Sequence, residues 1–233
     1  MKFTEFKEKI QMPSRLAVNP WLSIWTKPRL TIAEIIHTNP SFRFFFLCFI
    51  YGFVALLNAG QSASLGNTNS AWAIVLTAAI FGFLIGYLVF SIYSLLLTWT
   101  GKWIGGKGSY REIRAAVAWS NVPVAVDLVL WLGAAAAFGA AVFTKDFSHV
   151  VYYQTSEGGM LLLPEPRLLL IVGFTRLALG IWSLVIFLVG LSEVQGFSIF
   201  KAILNALFSL FIVVAAVWIA SLVAWWLHGF IQR

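Results

Sequence analysis

Five long apolar runs, separated by short polar connections, dominate the chain from residue 42 onward. A hydrocarbon core about 30 Å thick is crossed by about 20 helical residues rising about 1.5 Å each, so runs of this length select bilayer-spanning helices. They begin near Phe42, Ala71, Ala115, Leu168 and Ile199 and end near Ala59, Thr100, Phe143, Leu191 and Leu227. With 60% hydrophobic and 11% charged residues in a chain of 233, a soluble core of ordinary size could not hide this much apolar surface. The expected fold class is all-α: a polytopic transmembrane helical bundle with about five spans and N-terminal interfacial helices. Residues 1–41 form a cytoplasmic amphipathic segment and residues 42–233 the spanning domain.

The connections refine this expectation. Residues 60–70 are an uncharged polar turn, and the second run, from Ala71 to about Thr100, exceeds the hydrocarbon core and must tilt or project into the cytoplasm. Pro123 removes a backbone donor inside the third run and predicts a kink at Asn121-Val122-Pro123. The longest polar loop, Thr144 to Arg167, contains Pro164 and Pro166 and is expected on the far side. The first 40 residues lack a charged-then-apolar secretory pattern, their longest uncharged run being broken by Pro20, so the first span is expected to be its own insertion signal. The single cysteine, Cys48, lies in an apolar run, which excludes a disulfide or a multi-thiolate metal site within one chain.

Charge placement sets the orientation. Residues 1–43 hold seven Lys and Arg, the 101–114 hairpin four and the 192–201 connector one, against Lys145, Arg167 and Arg233 on the other side. Twelve against three places the N-terminus in the cytoplasm and, for an odd number of spans, the C-terminus outside. The net charge of +7 is thereby assigned to topology and anionic lipid, not to nucleic acid. Phe3, Phe6 and Ile10 recur at helical spacing, and Trp21, Leu22, Ile24 and Trp25 precede Lys27 and Arg29, a pattern of surface-lying helix pieces. Such pieces either pack beneath the bundle or also present a partner surface, which Trp21, Trp25, Lys27, Arg29, Lys102, Lys107, Arg111 and Arg114 would form. Trp99, Trp103, Trp225 and Trp226 sit where interfacial anchors belong, whereas Trp131 and Trp182 lie deeper, as packing residues.

Asp127 in the third run and Arg176 in the fourth are ionisable residues at membrane depth, where either alone is costly. They form either a structural ion pair fixing helix register or a polar site on a substrate pathway, lined also by Ser120, Asn121, Thr175 and Ser183. Gly82 and Gly86 form GxxxG, and with Gly52, Gly173, Gly180 and the Ala-rich stretch 134–141 they predict close helix packing, within the bundle or between protomers. The GGKG at 105–108 lacks P-loop spacing and reads as a hairpin turn. His37, His149 and His228 lie at different membrane edges, and no paired-carboxylate or metal-ligand pattern occurs, so neither catalysis nor a cofactor is expected.

The segments NPWLSIWTKPRLTIAEII (19–36), GSYREIRAAVAWSNVP (108–123) and GLSEVQGFSIFKAILN (190–205) together resemble the bacterial branch of the Yip family, named for eukaryotic members that bind Ypt/Rab GTPases. The residues that carry the resemblance are Trp25, Lys27, Pro28, Arg29, Tyr110, Pro123, Glu193, Gly196, Phe197 and Lys201. It implies a cytoplasmic lead followed by five closely spaced spans in a bacterial cytoplasmic membrane, and it transfers no chemical role to a residue. The eukaryotic members look like trafficking factors with a long N-terminal domain, which this chain replaces with a short lead. Two functions stand open: an organiser that recruits protein partners or anionic lipid at its cytoplasmic face, and a transporter or channel for a small solute or lipid with its polar site at Asp127/Arg176.

Overall fold

A computed structural model of the chain describes residues 16, 19–145 and 166–231; the Phe3/Phe6/Ile10 helix, most of the 144–167 loop and His149 lie outside the described residues. The described residues are helical, without strands. Asn19 caps the first helix, α1 (Pro20–Thr26), by accepting from the Trp21 amide, and Pro20 starts it where a missing N–H costs nothing. Pro28 restarts the chain in the same way as α2 (Pro28–Thr38). Next come α3 (Phe44–Ser62) and α4 (Ala71–Trp103), the latter capped by Ser70. At 33 residues, α4 is about 50 Å long and overreaches a hydrocarbon core of about 30 Å.

After a turn, α5 (Tyr110–Ser120) opens with a reciprocal capping box between Ser109 and Glu112. It ends at Asn121, and Pro123 leads into α6 (Val124–Phe138). Gly139, at φ +59°, turns the chain into a short 3₁₀ segment, Gly139–Phe143. The last two helices are α7 (Pro166–Gln195) and α8 (Ile199–Ile231).

Among the described residues, five helical segments are long and apolar enough to span: Phe44–Ser62, Ala71–Trp103, Val124–Phe143, Leu170–Gln195 and Ile199–Trp226. The third differs from its expected start at Ala115. Residues 115–120 belong to α5, and Ala115, Ala116, Val117, Ala118 and Trp119 are all buried by protein. The cause of the displacement is compositional: a helix enclosed by other helices and a helix enclosed by lipid are equally apolar, and only the Asn121–Pro123 break separates them.

Two clusters of buried side chains hold the bundle, toward its two ends. One lies where α1, α2, the α4–α5 turn and the α7–α8 connector gather, hereafter the basic end; Ile24, Ile32, Ile35, Ile113, Trp119 and Leu191 meet there. Helices α1 and α2 thus donate core residues instead of only lying on a surface. Trp119 is the hub: its Nε1 donates to the Phe42 carbonyl at 3.2 Å, and its ring stacks on Phe42 and packs against Trp21. The other cluster joins Phe53, Leu57, Ile74 and Trp131 to Val142 and Phe143, with Gln61 donating to the Val142 carbonyl.

Helices α3 and α4 touch backbone to backbone. Cβ atoms added at Gly52, Gly82 or Gly86 would fall on the opposing main chain of Gly82, Phe53 and Cys48 respectively. The GxxxG pair therefore packs within the chain. Gly173 and Gly180 face open space. Trp182, expected to pack, is also substantially exposed, because the first half of α7 leaves the bundle's interior. Beyond Ser209 no described side chain of α8 is buried.

Candidate functional site

Arg176 on α7 reaches across two neighbouring helices. Its Nε lies 2.6 Å from Asp127 Oδ1, and its Nη2 donates to Asp127 Oδ2 at 3.1 Å and to Asn58 Oδ1 at 2.7 Å. The guanidinium also stands 4.8 Å from the centroid of the Trp131 ring. One cation is thus held by both oxygens of a carboxylate, one through a hydrogen bond and one through an ion contact, and by an amide and an aromatic face, which tie α7 to both α3 and α6. Asn58 is absent from the residues expected here. It could have been found as the only amide in the run 42–59, far from the charged Arg43 at its start.

The expected lining residues divide. Ser120, Asn121 and Ser183 line a cleft of about 600 Å³ among α3, α4, α5, α7 and α8, but Asp127 and Arg176 do not. Thr175 is half-buried, does not line that cleft, and donates back to the Ile171 carbonyl in its own helix. Charge pair and cleft are therefore separate features.

At the basic end, segments far apart in sequence interlock. Arg29 pairs with Glu193 at 3.5 Å and donates to Ser192 Oγ at 3.3 Å. Gln195 accepts from the Gly108 amide through its side chain and from the Lys107 amide through its carbonyl, while its Nε2 donates to Leu97 O. Asn205 Nδ2 donates to the same carbonyl, and Thr100 Oγ1 bonds Asn205 Oδ1 and Ser209 Oγ at 2.6 and 2.8 Å. This buried network was not legible as a site, although Asn205 and Ser209 stand one turn apart on an apolar helix, the spacing that puts two polar groups on one face. Asn205→Ala leaves the Thr100 hydroxyl and the Leu97 carbonyl short of partners. A loss of about 1–3 kcal/mol is expected, to be read from unfolding of the detergent-solubilised protein.

Of the expected surface residues, Trp21 and Trp25 are half-buried against the core, and Arg114 lies over the Phe44 ring at 4.2 Å and near Tyr110. Lys27, Arg29, Lys102, Lys107 and Arg111 are exposed. Among the described residues no group of His, Cys, Asp and Glu could hold a metal ion.

The segments that meet at this end, 19–36, 108–123 and 190–205, are those that carry the sequence resemblance. A family model described as the Yip1 domain matches residues 22–222. The chain belongs to the Yip family. No curated protein and no solved structure matches it. The Yip1 match starts within α1 and ends within α8, so it takes in most of α1, the other helices of the basic end, four whole spanning segments and most of the fifth.

Proposed function

We propose that this Yip protein organises the membrane by presenting a folded basic platform at the cytoplasmic face of a bacterial cytoplasmic membrane, where it gathers anionic lipid and recruits a protein partner. The observation that carries the proposal is the union of interlock and exposure at the basic end. Arg29–Glu193 and the Gln195 bonds fix three segments together, while Lys27, Lys102, Lys107, Arg111 and Lys201 remain exposed on or beside them, as does Arg43 in the adjoining α2–α3 turn. Each such cation near an anionic leaflet contributes about 1 kcal/mol, and fixing them on one scaffold spares the cost of ordering flexible arms. Trp99 and Trp103, both exposed on the last turns of α4, flank Lys102 at the depth where indoles anchor.

The reading predicts that Lys27→Glu/Lys107→Glu/Arg111→Glu abolishes enrichment of phosphatidylglycerol around the protein in mixed-lipid nanodiscs. None of the three side chains is part of the interlock, so thermal unfolding should stay near that of the parent. Enrichment that survives the triple change at low salt would remove the basis of the proposal. Orientation is checked independently. With Cys48 buried, a Lys107→Cys variant is labelled selectively, and the label should react from the cytoplasmic side only.

The Asp127/Arg176 pair supports a structural tie better than a transport site: both charges are neutralised by each other and Arg176 is further held by Asn58, away from the cleft.

A further inference from the structure

The cleft has no role in that platform, and its chemistry is specific. Its rim residues Leu184, Leu207 and Leu210 are each more than half exposed on the apolar outer surface of the spans, so its mouth opens sideways into the bilayer. A second hollow of about 390 Å³ shares Tyr51, Val89 and Tyr93 with it and extends it along α4 toward Leu96 and Val213. Among the described residues no ionised side chain lines either space.

The polar groups that do line it are short of partners. The buried Ser183 Oγ makes no hydrogen bond, and the Tyr51 and Tyr93 hydroxyls make none with the described residues. Asn121 spends its amide nitrogen on Val117 O and Ser120 Oγ and leaves its carbonyl oxygen available. In hydrocarbon each unsatisfied hydroxyl is costly, and no bulk water is at hand to relieve it. Tyr51 stands seven residues into α3, about 10 Å below the basic end, deeper than a phosphate headgroup sits.

We propose that the cleft binds an uncharged lipid of the diacylglycerol class, its glycerol hydroxyl and ester carbonyls bonded to Tyr51, Tyr93, Ser183 and Asn121 and one acyl chain lying between α4 and α8. Three features select this occupant over a phospholipid: the lateral mouth admits a chain from the bilayer, the absence of cations among the described lining residues leaves a phosphate unpaired, and the hydroxyls offer donors and acceptors to a small neutral head. The volume lies in the range of small-molecule sites, about 300–1,000 Å³.

The test uses full-length protein in phosphatidylcholine vesicles doped with diacylglycerol bearing a photoreactive diazirine on one acyl chain. Labelled positions are mapped by mass spectrometry. Labels should concentrate on peptides containing Tyr93, Leu184 and Leu207, above the background set by Ile80 on the exposed face of α4. Ala206→Trp, which fills the cleft, should return them to that background. Tyr51→Phe/Tyr93→Phe keeps the volume and removes two hydrogen bonds, so it guards against misfolding of the first variant; it should cut cleft labelling by about tenfold. Equally doped photoreactive phosphatidylglycerol should label only at background. The proposal is overturned if cleft labelling never exceeds that at Ile80, if the double Tyr variant labels like the parent, or if the charged probe labels the cleft as strongly as the neutral one. A cleft closed to every probe overturns it too.

Discussion

Gly52→Val is expected to yield no folded protein. The added side chain would strike the main chain of Gly82 and Gly86, and neither backbone can yield without parting α3 from α4. Overpacking in a core ordinarily costs about 1–3 kcal/mol because side chains can shift. Here the obstacle is backbone in a helix, so the cost exceeds that range and removes the pairing on which both core clusters are built. The measurement is the yield of monodisperse protein after detergent extraction, with Gly180→Ala as the comparison. Nothing lies within 4 Å of a Cβ at Gly180, so that change should be neutral or slightly stabilising through helix propensity. Equal yields would mean that the α3–α4 contact does not hold the bundle.

The second large effect is expected at Arg176. Arg176→Met leaves Asp127 as an uncompensated charge among apolar helices, a loss of about 3–5 kcal/mol. Asp127→Asn should cost less, because its amide oxygen can still accept from the guanidinium, and Asn58 still accepts from Nη2. Replacing both partners, Arg176→Met/Asp127→Leu, should recover much of the single-variant loss. Unfolding in a fixed detergent gives the coupling as a double-mutant cycle. A structural tie predicts that the charge-swapped pair, Asp127→Arg/Arg176→Asp, regains stability and lipid enrichment together. Stability regained without the enrichment would move the pair from scaffold to site.

The spans were legible because a bilayer demands a number of consecutive apolar residues that little else in this chain requires. Asp127 and Arg176 stood out for the complementary reason, charge where charge is costly. What escaped was whatever depended on which helix lies beside which. Residues 115–120 read as membrane because burial by α2, α3, α4 and α7 demands the same composition as burial by lipid. Asn58, Gln195 and Asn205 are unremarked polar residues in sequence and acquire meaning only through partners on distant helices, at Arg176, Leu97 and Thr100. Of the glycines grouped as packing surfaces, Gly52, Gly82 and Gly86 meet a neighbour and Gly173 and Gly180 do not, a distinction fixed by the splay of α7.

The bond from Arg29 to Ser192 spans 163 positions of chain, and it orders events during biosynthesis. At about 5–20 residues per second, α2 emerges from the ribosome roughly 8–30 s before the connector it will grip exists. Until the fourth span has been inserted and its trailing end delivered, Ile32 and Ile35 have only part of their final surroundings. A chain stopped before residue 192 therefore lacks the partner that Arg29 grips, and its α2 keeps part of its final contact surface uncovered.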